Sequence, residues 1–373
     1  MHSNFIKLSN IVELYNGYAF KSNDYIEKSN TLNCRMSNIR PNGQFDILYN
    51  AKYLPDKYAI DYRNYILKDG DLIIAMTDMA GDPKILGIPT VVNTLGYNLL
   101  LNQRVGKLVV YNKSYTEKYL KYALSCRRIR DYFKSFAGGG VQLNVGKKEI
   151  LNAEISDYPL EKQKEIVSTL DLLQSIITHL RTQLEKLDLL VKARFVEMFG
   201  DPQKNTQNRP TTELINVVKM QRGFDLPTYS RNQNGNVPVY GANGALDKHD
   251  TAKVFGGGVI TGRSGTIGNV YYTLDDYWPL NTSLFSSDLH GNNVIYLAYL
   301  LDMFDLTRFK EGTGVPTLNR NKFHKEQIID VPIIQQTQFA DFVKQVDQSK
   351  SILQQELEKA QTLFDSLMQE YFG

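Results

Sequence analysis

Residues 159–200 read PLEKQKEIVSTLDLLQSIITHLRTQLEKLDLLVKARFVEMFG, and residues 332–373 read PIIQQTQFADFVKQVDQSKSILQQELEKAQTLFDSLMQEYFG. Aligned without a gap, Pro159 pairs with Pro332, Gln163 with Gln336, Leu180 with Leu353, Leu184-Glu185-Lys186 with Leu357-Glu358-Lys359, and Phe199-Gly200 with Phe372-Gly373. In the first stretch Ile166, Leu170, Leu173, Ile177, Leu180, Leu184, Leu187 and Val191 alternate steps of four and three; in the second, Phe339, Val343, Val346, Leu353, Leu357, Ala360, Phe364 and Leu367 keep the same spacing. That is the heptad period of a helix with an apolar seam. Each stretch opens at a proline, whose missing N–H does no harm at a helix start, and the first stops at Gly200 with Pro202 beyond. Lys350 occupies one seam position, at the place Ile177 holds in the first copy, and a polar seam residue costs stability while fixing register.

The duplication extends upstream with drifting loop lengths, so whole domains are repeated. Asn16-Gly17-Tyr18 matches Arg222-Gly223-Phe224, and the stretch from Asp71 to Asp78 (DLIIAMTD) matches that from Gly258 to Gly265 (GVITGRSG), both reading as a strand running into a polar loop. Leu101-Asn102-Gln103 answers Leu280-Asn281-Thr282, Tyr119 to Leu124 answers Tyr296 to Leu301, and the Gly-rich stretch from Gly138 to Asn144 answers that from Gly312 to Asn319. The expected division is a mixed domain at 1–155, a helix at 156–200, a second domain at 201–330 and a second helix at 331–373.

At 373 residues the chain exceeds what one hydrophobic core organises. A hydrophobic fraction of 42% with 22% charged residues is globular. No apolar run approaches the roughly 20 residues of a membrane span, and the opening Met1-His2-Ser3-Asn4 lacks the layout of a signal peptide, so a soluble cytoplasmic protein with no membrane partner is expected. Cys34 and Cys126 are too few to staple the fold and too far apart in sequence for a metal-ligand pair, which predicts packed, reduced thiols. A net charge of +3 does not announce a nucleic-acid binder, so any basic surface must be local. Arg127, Arg128, Arg130, Lys134, Lys147 and Lys148 cluster before and after the Gly-rich stretch of the first half, and Arg308, Lys310, Arg320, Lys322 and Lys325 recur at the matching place in the second.

Two seams in one chain are expected to pack on each other. Parallel packing would bring the two domains together, whereas antiparallel packing separates them along a rod of roughly 60 Å, from about 40 residues at 1.5 Å each. Such a rod exceeds one turn of DNA, about 34 Å; as a dimerisation device the same helices serve equally well.

Catalytic constellations are missing. The sequence has no phosphate loop of the Walker type, Gly256-Gly257-Gly258 with Gly262 lacks dinucleotide-loop spacing, and the histidines at 2, 179, 249, 290 and 324 form no zinc-binding pair. Asp275-Asp276 and Asp78 with Asp82 read as surface turns, and the Asn-Pro-Pro-aromatic tetrapeptide of amino-methyltransferases is absent. A binder is expected, without metal or cofactor.

The segments quoted above, five in order and twice over, carry a family resemblance. The two-domain, two-helix layout resembles the specificity subunit of a type I restriction–modification system across essentially the whole chain. The run from Val237 to Gly244 (VPVYGANG), that from Val259 to Gly268 (VITGRSGTIG), and Trp278-Pro279-Leu280-Asn281-Thr282 are similar to one common class of target-recognition domain. Asp71 to Asp78, Ile85-Leu86-Gly87 and Leu101 to Gly106 are similar to another. The resemblance implies an α+β fold of two mixed target-recognition domains joined by two long antiparallel coiled-coil helices, an internal duplication with pseudo-twofold symmetry. It implies that each domain reads one half of a split double-stranded DNA target, that the helices set the spacer, and that two methyltransferase subunits dock and carry the S-adenosylmethionine. Restriction subunits with translocase activity complete the assembly, and the chain itself is not an enzyme. A coiled-coil adaptor whose two heads bind proteins is the alternative.

Arg263 lies in a Gly-Arg-Ser-Gly turn after a strand, where a guanidinium can reach a guanine edge bidentately or simply pair with a nearby carboxylate. Ser264 and Thr266 stand beside it as phosphate donors. Gln103 and Arg104 in the first domain, and Asn281 and Thr282 in the second, follow strands at matching places; Lys248 and His249 lie in a polar stretch, with Thr77, Asp78 and Lys84 the corresponding choice in the first domain. Tyrosines of the Tyr119 and Tyr122 kind are spaced for packing.

Overall fold

The computed structural model describes residues 4–138, 140–312 and 316–373. Met1 to Ser3, Gly139 and the Thr313-Gly314-Val315 part of the second Gly-rich stretch lie outside the described residues. The chain divides into two compact units, one of Met1–His179 with Leu357–Gly373 and one of Leu180–Glu356. This division cuts each long helix midway, where the sequence placed its boundaries at the helix ends.

Both helices span the predicted stretches, Leu160–Phe199 and Ile333–Phe372. Within the first unit, Ile166 and Leu170 of the first helix share a core cluster with Phe364, Leu367 and Phe372 of the second. Within the second unit, Val191, Phe195 and Phe199 cluster with Phe339, Val343 and Val346. The start of one helix therefore lies against the end of the other in both units, which makes the pair antiparallel.

Ile166, Leu170, Leu173, Ile177, Val191, Phe339, Val343 and Val346 are buried, whereas Leu180, Leu184, Leu187, Lys350, Leu353, Leu357, Ala360, Phe364 and Leu367 are half-buried. Of the buried ones, Ile166 and Leu170 belong to the core of the first unit, and Val191, Phe339, Val343 and Val346 to that of the second. Lys350 occupies the seam as expected, but its contact in space is Asp188 of the opposing helix, 2.5 Å away, with Asp347 of its own helix at 3.7 Å.

The two repeated glutamines close the helix starts. Gln163 Nε2 donates to the Tyr158 carbonyl at 2.8 Å and to Ser114 at 2.9 Å; Gln336 Nε2 donates to the matching Val331 carbonyl at 2.7 Å and to Asn292 Oδ1 at 2.6 Å. Both side chains are buried, so these bonds satisfy carbonyls that water does not reach.

Each unit contains a four-stranded antiparallel sheet. In the first the order is Val12–Asn16, Val105–Val110, Leu72–Ala75, Pro89–Val91; in the second it is Lys219–Arg222, Ser283–Asp288, Gly258–Gly262, Val270–Thr273. A helix packs on each sheet, Glu117–Ser125 in the first unit and Val294–Phe304 in the second, and the tyrosines spaced for packing are buried there: Tyr119, Tyr122 and Tyr296. The first unit adds a mixed four-stranded sheet containing Thr31–Cys34 and Asn98–Leu101, and the second a three-stranded sheet containing Val237–Gly241 and Gly244–His249. Cys34 and Cys126 are free and buried in the first unit.

The Gly-aromatic motifs have a steric origin. A Cβ on Gly17 would lie 2.2 Å from the Leu101 carbonyl oxygen, and one on Gly223 2.2 Å from that of Leu280. No side chain fits where the two backbones cross, and this holds at matching positions of both units.

His324 stitches the second unit. Its buried Nε2 accepts the Met220 N–H at 3.0 Å, and desolvation, followed by the charges of Arg320 and Lys219, pushes its pKa below the ordinary 6.5. Unfolding thus binds a proton that the folded state resists, so stability is fully present above pH about 6.5 and falls as pH drops through that value toward the depressed folded pKa. Urea denaturation of the second unit should show a lower midpoint at pH 5.5 than at pH 7.5, and His324→Gln, which keeps an acceptor without the titration, should flatten that difference.

Candidate nucleic-acid interface

In each unit the repeated segments converge on one end of the four-stranded sheet through the same hydrogen bonds. In the first, Tyr18 N–H donates to Leu101 O at 2.9 Å, Gln103 N–H to Tyr18 O at 3.1 Å, Met76 N–H to Arg104 O at 3.0 Å and Val145 N–H to Met76 O at 3.0 Å. In the second, Phe224 N–H donates to Pro279 O at 2.8 Å, Asn281 N–H to Phe224 O at 3.0 Å, Arg263 N–H to Thr282 O at 2.9 Å and Leu318 N–H to Arg263 O at 2.8 Å. Met76 and Arg263 are therefore equivalent, as the sequence alignment has them.

Two other matches shift. Gln103 corresponds to Asn281 and Arg104 to Thr282, one residue away from the pairing of the Leu-Asn dipeptides, and Asn144, which pairs with Thr77, corresponds to Thr317, which pairs with Ser264, instead of to Asn319. Identical side chains set the sequence alignment, whereas the hydrogen-bond frame is made by backbone and ignores them.

The first unit departs from the expected open loop. Thr77–Met79 is a short strand paired with Gln142–Asn144, and both Thr77 and Asp78 are buried. Thr77 Oγ1 bonds Asn144 Oδ1 at 2.8 Å, and the Asp78 carboxylate accepts the N–H groups of Met79 at 2.8 Å, Ile85 at 2.5 Å and Leu86 at 2.9 Å. A carboxylate so engaged holds a loop and has no face for DNA. Lys84 remains exposed and pairs with Asp82 at 2.7 Å. Gln103 is exposed and Arg104 half-buried.

Part of the first basic cluster is also structural. Arg128 donates to the Glu154 carbonyl at 2.9 Å and covers the Phe5 ring, and Arg130 donates to the Lys84 carbonyl at 3.3 Å. Arg127 pairs with Asp131 at 3.6 Å, while Lys134, Lys147 and Lys148 are exposed. In the second cluster Arg308 stacks on Phe304 and Phe309 and donates to the Phe304 carbonyl at 3.0 Å, Lys322 pairs with Glu311, and Lys310 and Lys325 are exposed.

Around Arg263 the second unit is more open. Arg263 and Ser264 are half-buried, Thr266 and Thr282 are exposed, and Arg263 Nη1 donates to the Asn281 carbonyl at 3.2 Å. Asn281 is half-buried and its amide reaches Asp225. Lys248 is exposed, but His249 is half-buried in a strand, edge-on to Trp278 with ring centroids 5.2 Å apart, so it is part of that sheet's packing.

Two features were missed. Arg222, which the sequence marks only as part of the repeat, ends a sheet strand and lines one cavity with Arg263. In the first unit, Tyr18 is 37% exposed beside Gln103, and its ring lies 4.5 Å from that of Tyr62, whose hydroxyl is pushed up to about 12 by the hydrogen bond with Tyr18. Spacing alone does not separate an exposed tyrosine from a packed one.

Among the described residues no three His, Cys, Asp or Glu side chains are grouped to hold a metal, and no helix is long and apolar enough to cross a membrane. The carboxylates considered for catalysis serve turns: Asp276 accepts the Gly256 N–H at 2.8 Å, and Asp82 is taken by Lys84.

A duplicated pair of heads with one backbone frame and unlike side chains, each packed on an antiparallel helix pair, defines a two-headed binding protein. The model of the type I restriction modification DNA specificity domain matches residues 2–188 and 204–362, and the chain belongs to that family. It is 25% identical over 186 residues to the type I restriction enzyme MjaVIII specificity subunit of Methanocaldococcus jannaschii, an alignment spanning 49% of this chain and 42% of that relative. Its fold is that of the S subunit of a type I restriction–modification system from M. genitalium, with a TM-score of 0.63 at 14% identity over 100% of this chain and 96% of the other. A chain from a structure describing complex assembly and conformational transition of the type I R-M system has a TM-score of 0.56 at 14% identity, covering 99% and 97% of the two chains.

Asp78→Ala should leave three amides without their acceptor and cost roughly 1–3 kcal/mol of local stability. Hydrogen exchange at Met79, Ile85 and Leu86 is expected to quicken, while the salt dependence of DNA binding stays as in the parent protein.

Proposed function

We propose that the chain is the non-catalytic recognition subunit of a type I restriction–modification complex, each unit reading one half of a split double-stranded DNA target. The observation that carries this is the combination of a common backbone frame with different side chains at its open end. Gln103 and Arg104 in one unit stand where Asn281 and Thr282 stand in the other. Identical frames present side chains in the same way, and unlike side chains select different base edges.

Membership of the family supports the remaining assignments. Two methyltransferase subunits dock on the chain and carry S-adenosylmethionine and the chemistry, and restriction subunits with translocase activity join them. The two 40-residue helices, each rising roughly 60 Å, set the unspecified spacer between half-sites. The protein works in the cytoplasm, where its DNA is.

The test is sequencing of methylated adenines in cells carrying the complex. A split motif with two unlike halves is expected. Replacing Asp201 to Ile329 with the same segment of a relative should change one half and leave the other intact; changes in both halves, or an unsplit motif, would refute two independent reading heads.

A further inference from the structure

Arg222, Arg263 and Arg320 line one cavity of about 270 Å³ in the second unit. They come from three separate elements: Arg222 ends the strand Lys219–Arg222, Arg263 follows the strand Gly258–Gly262, and Arg320 opens the short helix Arg320–Phe323. One carboxylate, Glu311, lines the same cavity. It is already engaged by Lys322 and by Asn319 Nδ2 at 2.9 Å, and these partners, Lys322 first, hold it below the usual carboxylate range. Among the described residues, no carboxylate forms an ion pair with any of the three guanidinium groups.

Three cations in so small a space repel one another unless an anion joins them. We propose that this cavity is a seat for one backbone phosphate of the DNA, resting on the reading that the chain binds DNA. A guanine edge is neutral and takes one guanidinium bidentately, which leaves two charges uncompensated. A phosphate accepts charge-assisted bonds from several guanidinium groups at once. Arg263 Nη1 is tied to the Asn281 carbonyl, which anchors the guanidinium and leaves its other N–H groups to donate to an anion.

The seat is one-sided. By strand register and hydrogen-bond frame, Arg222 corresponds to Asn16, Arg263 to Met76 and Arg320 to Lys147, so the first unit offers a single cation at these places. Arg263 thus grips backbone and sets register for the second head, while bases are read by neighbours.

The experiment uses the chain assembled with its methyltransferase subunits and a duplex carrying its methylated target. Affinity is measured from 50 to 200 mM salt for the parent, Arg222→Ala, Arg320→Ala and the double variant, each checked for an unchanged thermal midpoint. Each arginine removed should weaken binding about tenfold, as expected for a lost charged hydrogen bond, and loss of the one phosphate contact in the double variant should lower the salt slope by about 0.9 in all. The weakening should be equal for target and mutated-target duplexes. A neutral methylphosphonate scanned along the half-site of the second unit should weaken the parent at one backbone position and leave the double variant unaffected there. Relaxed preference at a single base pair with an unchanged slope would overturn the phosphate assignment in favour of base reading, and unchanged affinity would overturn the site altogether. Failure of the parent complex to prefer its target would instead sink the DNA-recognition reading on which the proposal rests.

Discussion

Neither head closes its core with its own helix alone. Phe372, which ends the second helix, is buried against Tyr119 of the first unit with ring centroids 5.6 Å apart, and Phe199, which ends the first helix, is buried against Tyr296 of the second at 5.2 Å. Burying such a side chain is worth on the order of 1.5–3 kcal/mol relative to leaving it in water. Each unit thus depends on the last turn of the helix that the other half of the sequence terminates. Antiparallel packing is the arrangement that meets both demands at once, and a chain with one copy would leave Tyr119 or its counterpart uncovered.

The same exchange explains why the helix ends are so alike. Gln163 and Gln336 satisfy the carbonyls where each helix leaves its own head, and Phe199 and Phe372 fill the core of the other head. Midway between those anchors, at Leu180 to Leu187 and Lys350 to Leu357, the seam is only half-buried, and Lys350 is accommodated there beside Asp188. A partly exposed ion pair of this kind adds little stability; its geometric consequence is to favour one register of the helix pair over its neighbours.

Function is drawn from the contrast between a conserved backbone frame and free side chains. Four hydrogen bonds at equivalent places fix the ends of the sheets in both units, and the glycines at 17 and 223 permit the backbone crossing that two of those bonds require. With the frame held by backbone, residues such as Met76 and Arg263 can differ without disturbing it. The first unit uses this freedom for a buried Asp78 brace and an aromatic group around Tyr18, and the second for converging arginines.

The sequence by itself determined the duplication, the two helices to within a few residues at each end, and the buried tyrosines of the Tyr119 kind. These are local matters of period, proline and glycine placement, and identical residues at equal spacing. It also singled out Arg263, because a guanidinium in a Gly-Arg-Ser-Gly turn after an apolar strand can reach a partner's polar edge. It could not separate Asp78 and Arg128, which are consumed by backbone groups at positions 85, 86 and 154, from residues left open to a partner. Nor could it join Arg222 and Arg320 to Arg263, or find the one-residue shift that makes Gln103 the counterpart of Asn281. Hydrogen bonds between segments tens of residues apart leave no periodic trace, so only the tertiary structure decides which polar side chains are satisfied and which remain to bind.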